Sequence, residues 1–167
     1  VSEENVANQA FNNSDIGLLK AEAMKNMALL NNVSINANNV ALTEDYEPDG
    51  YLFMCADSME VRRTLVKRWI MSQSTKAVFE MRMGADEMRV YVLRNYSDYS
   101  SWLKVSDYKD EEASESLCGS KTSVGATAGM AAMATVWQFL NVIKNVDTWS
   151  NETVIYTSPF DIVTRNF

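Results

Sequence analysis

Apolar residues recur every three or four positions in three segments of the chain, a spacing typical of helices that bury one face. The first predicted helix runs from Asp15 to Asn31. The second runs from Ser58 to about Ser72. Asp57 just before it and Glu60 in its first turn have the spacing of a capping box. The third lies within Val124 to Ile143, where no residue is charged.

Alternation of apolar and polar residues predicts strands elsewhere, since side chains on a strand point to opposite faces in turn. The predicted strands are Val40 to Thr43, Tyr51 to Cys55, Lys76 to Met83, Glu87 to Arg94, Glu152 to Thr157 and Phe160 to Thr164. A Pro-Asp-Gly turn separates the first two, and a Gly-Ala-Asp turn separates the next two. Both pairs are therefore predicted to form hairpins.

The order of these elements predicts an α+β fold. We expect a mainly antiparallel sheet of hairpins with three principal helices packed on one face. With 167 residues and 47% hydrophobic residues, the chain has the size and composition of a single folded domain. We expect one domain over residues 1–167, with residues 1–39 as a candidate helical N-terminal extension.

Charge narrows the choice of partners. The chain carries 15 basic and 22 acidic residues, a net charge of -7, which repels phosphate backbones and disfavours nucleic acid as a partner. Four cations gather on the second helix, at Arg62, Arg63, Lys67 and Arg68. They predict a solvated basic face that suits an acidic protein partner, while Trp69 on the same helix is assigned to the core.

The chain contains no histidine, which excludes histidine-based triads and removes the commonest metal ligand. It also lacks the GxSxG, P-loop and GxGxxG motifs. The acidic turn Asp45 to Gly50 resembles the start of a calcium loop, but Ala56 occupies the position of the closing glutamate. No catalytic, cofactor-binding or metal-binding residue is therefore predicted.

Two cysteines, Cys55 and Cys118, could close a large loop as a disulfide or remain two separate thiols. The sequence starts at Val1 rather than at a methionine, which is typical of a processed chain. Together these features indicate an exported protein, secreted, periplasmic or on a cell or virion surface. A cytoplasmic location is the alternative.

The uncharged segment Val124 to Ile143 matches the length of a membrane span and contains Gly125 and Gly129 in a GxxxG pair. Its helical projection nevertheless separates an apolar face, with Met133 and Trp137, from a polar one. That asymmetry favours a buried amphipathic helix over membrane contact or helix packing between molecules. The candidate interaction residues in this segment are Gly125, Gly129, Met130, Met133 and Trp137.

Three functions remain compatible with these patterns. The preferred one is a non-enzymatic exported or structural protein, such as an envelope, virion, secretion or filament component, that acts through protein partners or self-association. The alternative is a domain that binds a small ligand or effector. The third is an enzyme that uses carboxylates such as Asp57, Glu60 or Glu80, provided that folding brings two of them together.

Overall fold

The computed structural model describes residues 1–43, 45–84, 86–107 and 122–167. These residues form two compact units, which comprise residues 1–42 and 43–167. The boundary between them lies close to residue 39, where the predicted helical extension ends. The single domain expected over the whole chain stays a prediction.

The smaller unit contains helix α1 (Glu3–Asn8), a 3-10 turn at Asn13–Asp15 and helix α2 (Lys20–Leu30). The helix predicted from Asp15 therefore starts five residues later than expected. Gly17 explains the delay, since its φ of 90° lies in the left-handed region and cannot continue a right-handed helix.

The larger unit is built on a five-stranded mixed sheet formed by the described residues. Its strands follow one another across the sheet in chain order, with β1 parallel to β2 and every other neighbouring pair antiparallel. The strands are β1 (Gly50–Met54), β2 (Thr75–Met83), β3 (Glu87–Leu93), β4 (Glu152–Thr157) and β5 (Phe160–Arg165). The predicted β2–β3 hairpin is confirmed, with Val78 opposite Leu93 and Met83 opposite Met88.

Three helices cover the two faces of this sheet: α3 (Met59–Met71), α4 (Tyr96–Lys104) and α5 (Thr122–Ile143). Val78 on β2 belongs to the apolar cluster of α3 and α4, whereas its neighbour Phe79 packs with α5. Because adjacent strand residues point to opposite faces, α3 and α4 lie on one face and α5 on the other. The prediction that all helices share one face is therefore wrong.

The predicted hairpin between Val40–Thr43 and Tyr51–Cys55 is also wrong. Residues 40–43 form no strand, and β1 pairs in parallel with β2 after the chain returns through α3. Alternation along a strand indicates that a strand exists, but it does not identify the partner. The α+β class therefore holds with a mixed sheet in place of a mainly hairpin-built one.

Candidate functional site

The parallel strands β1 and β2 point to one edge of the sheet as a binding site. In sheets with parallel strands, ligands bind beyond the carboxyl ends of those strands. Here β1 ends at Met54, opposite Glu80 on β2, and residues 55–58 then lead into α3. We refer to this region, residues 55–58 with the first turn of α3 and the end of β2, as the carboxyl-edge site.

Polar side chains shape the start of α3. Ser58 caps the helix, and its hydroxyl accepts a hydrogen bond from the backbone N–H of Val61 at 3.4 Å. The exposed carboxylate of Asp57 accepts a hydrogen bond from the Ser58 N–H at 3.0 Å. Since the first N–H groups of a helix have no partner within the helix, this end attracts negatively charged groups.

A buried ionic cluster lies beneath this site. The Glu80 carboxylate is fully buried and pairs with the guanidinium groups of both Arg62 and Arg82. The indole N–H of Trp102 also donates a hydrogen bond to this carboxylate, at 3.0 Å. Burial of a charge is costly unless it is paired, so these contacts make Glu80 acceptable inside the fold.

Further contacts fix the two arginines of this cluster. The Arg82 guanidinium lies over the rings of Tyr91 and Trp102, 4.7 and 5.6 Å from their centroids, and donates a hydrogen bond to the Ser106 hydroxyl. Arg62 also donates to the Met81 carbonyl at 2.6 Å. These contacts hold both side chains in place. The two arginines would therefore lose little conformational entropy on binding a ligand.

The cluster carries more positive than negative charge, because two guanidinium groups share one carboxylate. The Nε atom of Arg62 is buried and has no hydrogen-bond partner among the described residues. The excess belongs to the buried cluster, since the exposed carboxylates of Asp57 and Glu60 lie at the mouth of the same site. This cluster and the start of α3 together favour an anion at the carboxyl-edge site. They do so in a chain whose net charge is -7.

Cys55 lies at the same edge and is a free thiol, against the disulfide that the sequence allowed. The other cysteine, Cys118, lies outside the described residues. Burial raises the pKa of the Cys55 thiol above its ordinary value, the charge of Arg62 partly opposes that rise, and Glu80 adds to it. Cys55 is exposed, but the raised pKa reduces the fraction of its reactive thiolate near neutral pH.

This pKa shift predicts a pH profile for alkylation. In a Cys118→Ser variant, the rate at which iodoacetamide modifies Cys55 should still rise steeply above pH 9, where an ordinary thiol is already about half ionised, because the thiolate is the reacting form. Mass spectrometry of timed samples measures the rate. A profile that levels off at or below pH 9 would show that burial does not control this thiol.

The predicted basic face is divided by the structure. Arg62 is buried in the ionic cluster, and Arg63 is half-buried and donates to the Ser106 carbonyl at 2.9 Å. Lys67 and Arg68 remain exposed, and Arg68 forms an ion pair with Glu47. The pattern of charges along α3 could not separate these roles, since Glu80, the ion-pair partner of Arg62, lies on β2.

The candidate carboxylates do not form a pair. Asp57 and Glu60 are exposed, whereas Glu80 is neutralised by arginines. In the part of the chain that the structure describes, no three acidic or cysteine side chains are grouped closely enough to hold a metal ion. One feature of the sequence sets Glu80 apart. It is a charged residue that directly follows three apolar residues in a strand, Ala77, Val78 and Phe79.

Helix α5 lies with the unexpected face inward. Thr127, Thr135, Gln138 and Asn141 are buried, whereas Met133 and Trp137 are exposed. The Gln138 amide donates to the Thr153 hydroxyl at 2.8 Å and accepts from the Ser150 N–H at 3.2 Å, so its burial is compensated. The other interaction residues predicted in this helix are Gly125 and Gly129, which are exposed, and Met130, which is half-buried.

No helix among the described residues is long and apolar enough to span a membrane. This finding bears on α5, which contains the whole segment Val124 to Ile143 that the sequence offers as a candidate membrane contact.

Comparison with known proteins shows the fold. No protein-family model matches the chain, and no curated protein matches it by sequence. Among solved structures, E. coli MccB with ATP matches 99% of this chain with a TM-score of 0.70 and 15% identity, and MccB with AMPCPP and selenomethionine MccA matches with a TM-score of 0.68 and 14% identity. PaaA matches with a TM-score of 0.55 and 18% identity.

The chain spans about half the length of MccB, 53% of that chain, and 61% of PaaA. Its fold is thus shared with a protein that was solved with ATP. This finding overturns the prediction of a non-enzymatic exported or structural protein, together with the predicted absence of enzyme activity and the expected roles in secretion and assembly. The predicted cellular location stays a prediction.

Proposed function

We propose that this chain belongs to an ATP-using enzyme and that the carboxyl-edge site contacts the nucleotide. The observation that carries the proposal is the buried cluster at this site, in which Arg62 and Arg82 share the carboxylate of Glu80 beside the start of α3. Phosphate groups are the anionic part of ATP, and they bind where helix N-termini and arginines converge. The shared fold with MccB supports the same ligand.

Asp57 has a separate role in this proposal. Nucleoside triphosphates enter enzymes with Mg²⁺, which is commonly held by one or two carboxylates together with the phosphates and water. Asp57 is exposed at the mouth of the site and is fixed by the Ser58 N–H, so its carboxylate fits that role. This arrangement needs no cluster of acidic residues.

The chain has neither a P-loop nor a GxGxxG motif. The phosphates would therefore rely here on the start of α3 and on Arg62 rather than on a glycine-rich loop. The complete reaction of a protein such as MccB, which is almost twice as long, is a proposal for this chain.

A polypeptide is the proposed second partner. MccB was solved with MccA, whose selenomethionine marks it as a polypeptide, and a protein partner was also expected from this sequence. An enzyme that uses ATP on a polypeptide accounts for both observations.

Replacement of Asp57 by asparagine tests the proposal. We expect the intact chain to bind ATP in the presence of Mg²⁺, and we expect Asp57→Asn to weaken that binding by about tenfold or more, because a neutral amide is a poorer ligand for Mg²⁺. Isothermal titration of ATP with and without Mg²⁺ measures both quantities.

The matched control is Asp161→Asn, which changes another exposed aspartate, on β5, the strand at the far side of the sheet from β1. Its affinity for ATP should equal that of the unchanged chain. If the chain does not bind ATP, or if the two variants lose affinity equally, the proposed role of the carboxyl-edge site is refuted.

A further inference from the structure

Helix α5 exposes a long stripe without charge. At helical spacing along its outer side lie Gly129, Ala132, Met133, Val136, Trp137 and Ile143, all exposed. Met133 is 75% exposed and Trp137 66%. From Gly129 to Ile143 the helix rises about 21 Å, so the stripe is far larger than the scattered apolar residues of an ordinary surface. We call it the α5 stripe.

The stripe continues into a groove beside β5. Helix α5 packs over β2 and β3, whereas the side chains of Phe160 and Ile162 on β5 remain more than half exposed. Ile162 lies opposite Ile155 and Phe160 opposite Thr157. Met133 and Trp137 form the other wall of the groove, whose volume is about 480 Å³. One apolar surface thus joins the helix to the edge of the sheet.

We propose that a second copy of this chain covers the α5 stripe and the adjoining groove, so that the chain forms a two-fold symmetric dimer. This inference is independent of the proposed binding of ATP. The exposed area supports it. Large side chains bury about 150–250 Å² each, so the exposed parts of Met133, Val136, Trp137, Phe160 and Ile162 leave on the order of 600 Å² uncovered.

A stable dimer of ordinary size buries about 800 Å² on each partner. The remaining area comes from Ile143 and the small residues of the stripe, which are exposed as well. Because these residues carry no charge, their burial leaves no unpaired ion in the interface.

The order of residues along the stripe favours antiparallel helices. Small residues, Gly129 and Ala132, lie toward its start, and the bulky Val136, Trp137 and Ile143 lie toward its end. In two antiparallel copies, the end of each helix with small residues packs against the end of the other with bulky residues. A two-fold axis repeats this contact, so it occurs twice in the dimer. In parallel copies, Trp137 of one helix would instead lie against Trp137 of the other.

Gly129 provides a specific probe of this contact. A Cβ atom added to Gly129 would have no neighbour within 4 Å, so the fold has room for a larger side chain there. Within a helix, a larger residue is also intrinsically more favourable than glycine. Gly129→Leu should thus preserve the monomer while it blocks close approach of a second helix.

Sedimentation velocity over a range of protein concentrations tests the proposal. We expect the unchanged chain to be a dimer at roughly 100 µM, since interfaces of this size have micromolar or tighter dissociation constants. Trp137→Glu and Gly129→Leu should each raise the dissociation constant about tenfold or more, because central tryptophans dominate such interfaces. Circular dichroism checks that both variants remain folded.

Tyr96→Glu is the matched control, since Tyr96 is an aromatic residue exposed to a similar degree on α4, across the sheet from α5. It should leave the dissociation constant unchanged. A monomer at all concentrations overturns the proposal, as does a dimer that neither variant of the stripe weakens. The proposal is also overturned if the chain is a monomer and uses Trp137 to bind anionic lipid vesicles. The same holds if the monomer uses Trp137 to bind a polypeptide that adds at the edge of β5.

Discussion

Replacement of Glu80 by glutamine is expected to lower the free energy of unfolding by about 3–5 kcal/mol, the usual cost when one member of a buried ion pair is removed. Glutamine keeps the size of the side chain but removes its charge. Arg62 and Arg82 would then remain side by side without their shared counterion. The Trp102 N–H would also lose its charged acceptor. Urea denaturation followed by tryptophan fluorescence measures the change.

Glu87→Gln is the control for this prediction. Glu87 pairs with Arg89 on the same strand, but about a third of each side chain is exposed, so the loss should remain below about 1 kcal/mol. Similar losses for Glu80→Gln and Glu87→Gln would show that the ionic cluster is not important for stability.

Replacement of Phe79 by alanine is expected to lower the free energy of unfolding by a similar amount, about 3–5 kcal/mol. The Phe79 ring is fully buried and lies 5.1 Å from the ring of Phe53 and 5.8 Å from that of Phe139 on α5. Its removal leaves a cavity between β2 and α5 that rigid neighbours fill only in part. The same denaturation experiment measures the loss.

Phe53→Ala offers a matched comparison, because Phe53 is directly opposite Phe79 on the neighbouring strand and its ring stacks on that of Phe79. Phe53 is 43% exposed, so its truncation removes less buried surface and should cost about half as much or less. Equal losses at the two positions would contradict the described packing of α5 on this face.

Local patterns were sufficient to predict several elements of the fold. Helix α3 and the β2–β3 hairpin were predicted within a residue or two, because periodicity and turn residues act over short distances. The partner of β1 was not predictable in this way. It depends on the return of the chain through α3, which places β2 beside β1 in parallel.

Helix α5 illustrates a different limit. Its position was predicted, but its buried face is the one with Thr135 and Gln138, whose polar groups are paired inside the fold. The prediction from helical periodicity assumes that polar residues face water, and it fails where the sheet supplies hydrogen-bond partners. The apolar residues of the α5 stripe are left outside for the same reason.

The carboxyl-edge site was only partly visible in the sequence. Asp57, Glu80 and Arg62 were each singled out, but as unrelated carboxylates and as one cation of a solvated face. What joins them is the parallel register that sets Met54 beside Glu80. Nothing in the local sequence of Arg82 or Trp102 indicates that both contact the same carboxylate.

Nuclear magnetic resonance spectroscopy of the amide groups during titration with ATP and Mg²⁺ tests the central claim most directly. The proposed nucleotide site predicts that the largest shifts occur in residues 55–62 and at the end of β2, around Met81 and Arg82. It also predicts that Asp57→Asn suppresses them. An absence of shifts, or shifts confined to the α5 stripe and β5, would contradict a nucleotide site at this edge of the sheet.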